Sequence, residues 1–167
     1  MKKIFSVFLG FWIGVIANTF MVKKKFDNRI KGECLRSTKL QEFYDLLLLW
    51  LELKQKEGTF EIYFVNNQYK SVAIYGMKEI GEALYQELEN IGIEIRYLID
   101  KNADIIYADK EIYLPEDNLP EVDVIIVTAL HYYSEIEKEL SAKFKYPVVN
   151  LKDIIYESLS YQFERNI

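Results

Sequence analysis

The rhythm of apolar and polar positions divides this chain into a long uncharged run, an amphipathic stretch and a strand–helix alternation. Ile4 to Val22 is a run of 19 residues with no charge, bracketed by Lys2-Lys3 and Lys23-Lys24-Lys25. As a helix it would be about 28 Å long, close to the thickness of a bilayer core. The run predicts a membrane anchor over residues 1–25. The competing reading is a signal peptide cleaved after Ala17. Residues 26–38 are polar and basic and read as a linker at the membrane surface. Ser37 or Thr38 is placed to cap a following helix, with Gln41 as a capping-box partner for Thr38.

From Lys39 to Lys56 the residues Leu40, Phe43, Tyr44, Leu47 and Leu51 recur at helical spacing. They predict an amphipathic helix whose apolar stripe packs on the domain that follows. A surface for a partner helix is the second reading of the same stripe. Gly58 ends this helix, and Phe60 to Asn67 forms a second, short one.

Beyond Lys70 short apolar runs alternate with helical periodicity. Ser71 to Tyr75 reads as a strand, and Glu79 onward as a helix with Ile80, Ala83, Leu84, Leu88 and Ile91 inward. Glu94 to Ile99 is a second strand and Asn102 to Lys110 a loop. Glu111 to Leu114 makes a short third strand, and Val122 to Thr128 a buried fourth. Ser134-Glu135-Ile136-Glu137 fits a capping box within or at the start of the next helix. Val148-Val149 is a last strand, and Asn150 caps a final helix through Ser158. The alternation predicts an α/β fold, a doubly wound parallel-sheet Rossmann-like domain over residues 39–167.

Charge changes the picture in one respect. The formal net charge is -5, but residues 1–31 hold seven basic side chains and one acid, leaving the remaining residues at -11. An acidic body repels a phosphate backbone, so nucleic acid is excluded as a partner. Three lysines directly after the uncharged run oppose translocation, which predicts a single-pass protein of the cell membrane with its C-terminal body in the cytoplasm. Within the run, Ser6, Gly10, Gly14 and Asn18 form one ridge on which two membrane helices could pair as a homodimer. Cys34 is the one cysteine and His131 the one histidine, so no metal site is expected.

Candidate chemistry gathers at the predicted carboxyl ends of the strands. Gly76-Met77-Lys78-Glu79-Ile80-Gly81 stands where a G-x-G-x-x-G turn would hold a pyrophosphate, with Lys78 in place of the middle glycine. A Cβ there obstructs the phosphate, although the ammonium could hold one. Asp100 ends the second strand where an acid accepts ribose hydroxyls, and Lys101 could favour a 2′-phosphate. Thr128, Ala129 and His131 follow the fourth strand. Tyr97 and Lys101 match Y-x-x-x-K, but on a strand they lie about 13 Å apart at ~3.3 Å per residue, too far for a reductase pair. No catalytic residue is assigned.

Val72 to Leu88 (VAIYGMKEIGEALYQEL), Tyr97 to Asp117 (YLIDKNADIIYADKEIYLPED), Val122 to Ala129 (VDVIIVTA) and Tyr146 to Glu157 (YPVVNLKDIIYE) resemble the Rossmann-like modules of bacterial surface-polysaccharide proteins and their membrane-anchored relatives. The resemblance covers about Glu42 to Glu157. It implies a module for nucleotide recognition or scaffolding in cell-envelope polysaccharide assembly, with NAD(P) or a nucleotide sugar as the ligand class. With no acid–base pair, nucleophile or second lobe in the sequence, the chain reads as less than a complete enzyme. The alternatives are an enzyme subunit whose substrate lobe comes from an envelope-glycan partner, and a pure interaction module.

Overall fold

A computed structural model describes residues 2–105 and 108–165, with side chains described from residue 19 to residue 162 within those ranges. Helix α1 runs unbroken from Lys2 to Gln55. The basic stretch 26–38 is thus helical and not a loop. Lysine, arginine and glutamate are good helix formers, and Gly32 alone does not stop propagation. Neither Ser37 nor Thr38 caps a new helix; Thr38 instead donates its hydroxyl proton back to the Cys34 carbonyl, at 3.0 Å, as Thr does inside helices. The chain divides into compact units at Met1–Gln41 and Glu42–Ile167.

Among the described residues no helix is long and apolar enough to cross a membrane. The side chains of most of the Ile4–Val22 run, including the Ser6, Gly10, Gly14 and Asn18 ridge, lie outside that description.

The second unit carries a five-stranded, all-parallel sheet in the order β3-β2-β1-β4-β5. The strands are β1 (Ser71–Tyr75), β2 (Glu94–Ile99), β3 (Ile112–Tyr113), β4 (Val124–Val127) and β5 (Val148–Asn150). That order fits a Rossmann-like arrangement: successive strands run one way from β1, and the chain then returns to add β4 and β5 on its other side. Each of β1 and β4 is buried along its whole length, as a central parallel strand covered on both faces must be.

Alternate side chains feed two cores. Val72, Ile74, Ile95, Leu98, Val124 and Ile126 meet helices α2 (Glu61–Asn67), α3 (Glu79–Asn90) and α5 (Leu151–Arg165) and the end of α1. On the other face Ala73, Tyr75, Tyr97, Ile99, Ile125 and Val127 meet Ile136 and Leu140 of α4 (Tyr133–Lys143) and Leu119 and Val122 from the preceding loop. Each fully buried Leu or Ile contributes about 1.5–3 kcal/mol. Helices on both faces make the sheet doubly wound.

The C-terminal part of α1 belongs to the first core, but through the opposite side from the one the sequence suggests. Leu46, Trp50 and Leu53 are buried, with Trp50 tilted against Phe60 at 5.4 Å. Leu47, Leu48, Leu51 and Tyr44 face outward. Six consecutive apolar residues, Leu46 to Leu51, leave the helix apolar all round, so periodicity could not select the inward side. Two further corrections are small. Ser134 lies inside the first turn of α4, whose cap position is Tyr132, with no side-chain capping hydrogen bond. Ala83 is exposed, because Ile80, Leu84 and Leu88 already fill the inward face of α3.

Candidate functional site

The turn after β1 is built by two glycines that nothing else could replace. Gly76 has φ +95°, which L side chains rarely adopt. A Cβ there would also stand 2.7 Å from the Thr128 hydroxyl oxygen. Gly81, in the first turn of α3, lies so close to the Gly76 carbonyl that any side chain would collide with that oxygen. This is the role expected of the last glycine in such a turn, letting the helix pack tightly on the strand end. The Gly76 amide donates to the Ile99 carbonyl at 2.8 Å, extending the β1–β2 ladder into the turn.

Thr128 closes the neighbouring crevice. It follows β4, beside β1, where the direction of strand addition reverses and ligands of open α/β sheets usually bind. Its buried hydroxyl donates to the Gly76 carbonyl (2.6 Å) and lies 3.1 Å from that of Tyr75. Its amide donates to the Tyr75 carbonyl at 3.0 Å. Ala129, half-buried, comes within 3.7 Å of the point where a Gly76 Cβ would sit. The two turns are therefore laced together across the switch point.

Asp100 is engaged within the chain. Its side chain is buried, and Oδ2 accepts the Met77 amide proton at 2.9 Å. Oδ1 accepts from the Asn102 amide (2.9 Å) and side-chain amide (3.2 Å). A carboxylate has about four lone-pair positions, and three of them are taken. Lys101, next to it, is exposed.

Lys78 occupies the cap position of α3 in extended conformation, is exposed, and makes no side-chain cap. The exposed Glu79 and Glu82 share the first turn with it. Both carboxylates suit the helix dipole, and both oppose an incoming phosphate. Ile80 and Met77 are buried and belong to the core.

His131 lies in a single 3₁₀ turn after β4, Leu130–Tyr132, with Nδ1 3.1 Å from Glu42 Oε2 on α1. Its ring meets Tyr132 edge-on at 5.3 Å. Glu42 is the residue that sequence reasoning missed; 89 positions separate it from His131, and no local pattern links them. Below the turn, Tyr75 is 4% exposed and its hydroxyl has no hydrogen-bond partner among the described residues. Burial, then the charges of Glu139, Asp100 and Glu116, push its pKa up to about 12. Among the described residues no group of three or more His, Cys, Asp or Glu could hold a metal ion.

The predicted site residues thus lie at one end of the sheet, where Asp100 is paired with Met77 and Thr128 with Gly76. A dinucleotide fits them poorly. Its pyrophosphate would need bare backbone where Lys78 carries a Cβ and two carboxylates follow, and its ribose would compete with the Met77 amide for Asp100. Neither curated proteins nor solved structures give any match to this chain. Residues 68–147, which include the glycine turn, Asp100, Thr128 and His131, match the family model described as C2185-like, N-terminal.

Proposed function

We propose that this chain is a membrane-anchored scaffold module with a Rossmann-like body, in which the nucleotide-binding turn serves as a structural joint. The observation that carries this reading is the Asp100–Met77 hydrogen bond, which uses the expected ribose acid to lock the glycine turn. The acidic first turn of α3 supports it. The anchor rests on the uncharged run Ile4–Val22, and the cytoplasmic placement of the body on Lys23-Lys24-Lys25. A place in cell-envelope polysaccharide assembly rests on the sequence resemblance. In this reading the chain is not a complete enzyme, and its partners are lipid and envelope-glycan proteins.

Nucleotide recognition is the second reading, favoured by the α3 terminus that no side chain caps and by Lys78 beside it. An enzyme subunit completed by a partner's lobe would use the same turn for NAD(P) or a nucleotide sugar. Thermal unfolding of the full-length chain in mild detergent, with NAD(H), NADP(H) and nucleotide sugars at millimolar concentration, separates these readings. A ligand at 100 times its dissociation constant adds about 2.7 kcal/mol of stability. The scaffold reading expects no shift, and a shift that Lys78→Ala abolishes would replace it with nucleotide recognition.

A further inference from the structure

The exposed side of α1 within the second unit carries a continuous apolar face from Phe43 to Leu51, which ends at Lys54, one turn beyond Leu51. Phe43, Tyr44, Leu47, Leu48 and Leu51 are 38%, 58%, 51%, 48% and 53% exposed. At about 100° per residue, the last four fill an arc of about 100°, centred roughly opposite Leu46, Trp50 and Leu53. The helix is therefore amphipathic in neither direction: one apolar side is spent on the domain core, and the other is left open.

We infer that this face pairs with the same face of a second copy of the chain. Three observations select that occupant. Tyr44, Leu47 and Leu51 follow the three-then-four spacing of a seam that packs against its own copy, and Phe43 and Leu48 flank it. A two-fold axis makes such a seam complementary to itself.

The exposed area of the five residues is roughly 500 Å² per copy, so pairing would bury about 1,000 Å² in total, the least that a specific interface needs. The flank argues against lipid as the occupant. Interfacial helices border their apolar face with Lys and Arg, whereas Asp45 and Glu52 border this one, and the nearest lysine, Lys54, is paired with Glu87 of α3. The inference extends the scaffold reading to a homodimeric scaffold; its test reads assembly and is independent of the ligand panel.

The test is sedimentation of the full-length chain in mild detergent, for wild type, Leu47→Glu/Leu51→Glu and Gly10→Ile/Gly14→Ile. Wild type should dimerise at micromolar concentration. Four carboxylates forced together in the seam should weaken that dimer more than about a hundredfold, while the glycine variant should still form it. A monomeric wild type overturns the inference, as does a dimer lost only in the glycine variant. A measurement that does not depend on the folding of the glutamate variant uses Leu47→Cys and Glu52→Cys, each with Cys34→Ser. Mild oxidation should cross-link the first and not the second, and equal cross-linking, or none, refutes the seam.

Discussion

Replacing Asp100 separates a structural joint from a ligand site, because only the joint predicts a loss of stability in the free protein. In Asp100→Ala the buried Met77 amide loses its acceptor at the base of the glycine turn. Leaving a buried donor unsatisfied costs about 1–3 kcal/mol, and the lost Asn102 bonds add about 1 kcal/mol because water can replace them in part. The expected loss is about 2–4 kcal/mol, a fall in Tm of about 5–15 °C for a chain of this size. Asp100→Asn should be intermediate. Its single amide oxygen can serve Met77 or Asn102, and the NH₂ then faces a donor.

Urea unfolding followed by the fluorescence of Trp50, which is buried against Phe60, reads the body directly once Trp12 is changed to Phe. An acid kept for ribose would leave the stability of the free protein almost unchanged. If Asp100→Ala unfolds at the wild-type midpoint, the joint is refuted and Asp100 returns to the list of ligand groups.

Five further outcomes are expected, four of them from the same geometry. Gly81→Ala should cost more than about 3 kcal/mol, since its Cβ meets fixed backbone at Gly76, whereas Gly92→Ala, at φ +74° with open space around it, should cost only about 1–2 kcal/mol; urea midpoints compare the two. Thr128→Val keeps the shape and removes the donor to Gly76, and should cost about 1 kcal/mol in the same assay.

Stability should also fall at both pH extremes. The Lys70 and Ser71 amides hold the Asp123 carboxyl below its usual range, so its contribution is present above about pH 4 and lost as pH falls through the lower folded value; Asp123→Asn should flatten that limb of an acid titration. Tyr75 and Tyr133, both pushed up to about 12 from 10.0, stabilise below pH 10 and lose that contribution between pH 10 and 12, which an alkaline melt of Tyr75→Phe should show as a shallower decline. At full length the protein should remain with membranes through salt extraction, and a mature chain starting at Asn18 outside the membrane would refute the anchor.

Strands and helices of the body were legible because each obeys one rhythm. Ser71–Tyr75 and Glu94–Ile99 are found where composition places them, and Asn150 does hold the start of α5, accepting the Lys152 amide at 2.9 Å. What failed did so where rhythm was absent or where two signals conflicted. Leu46 to Leu51 offers apolar residues on every side, so only the shape of the domain could decide that Leu46 and Trp50 turn inward. Residues 26–38 carry loop-like charge but helix-forming side chains, and propagation from both sides prevailed. In the candidate site, residue types predicted position and not occupancy. An aspartate at the end of β2 is the same letter whether it faces a ribose or the amide of Met77.

That last ambiguity has a physical origin. Any turn that sends a chain from a parallel strand into a helix leaves amide protons near the strand's carboxyl end, and each must find an acceptor. A ligand phosphate can supply one, and so can a neighbouring carboxylate. Here Asp100 takes the Met77 amide, Thr128 takes the carbonyls of Tyr75 and Gly76, and Glu79 and Glu82 complement the dipole of α3. The turn's amide at Met77 and its carbonyls at Tyr75 and Gly76 thus find partners within the chain itself. In the scaffold reading, a turn stabilised in this way holds the sheet, α3 and the β4 turn in fixed register. That rigidity suits a body that carries an open apolar helix face, since a face held in one geometry loses little entropy when it docks.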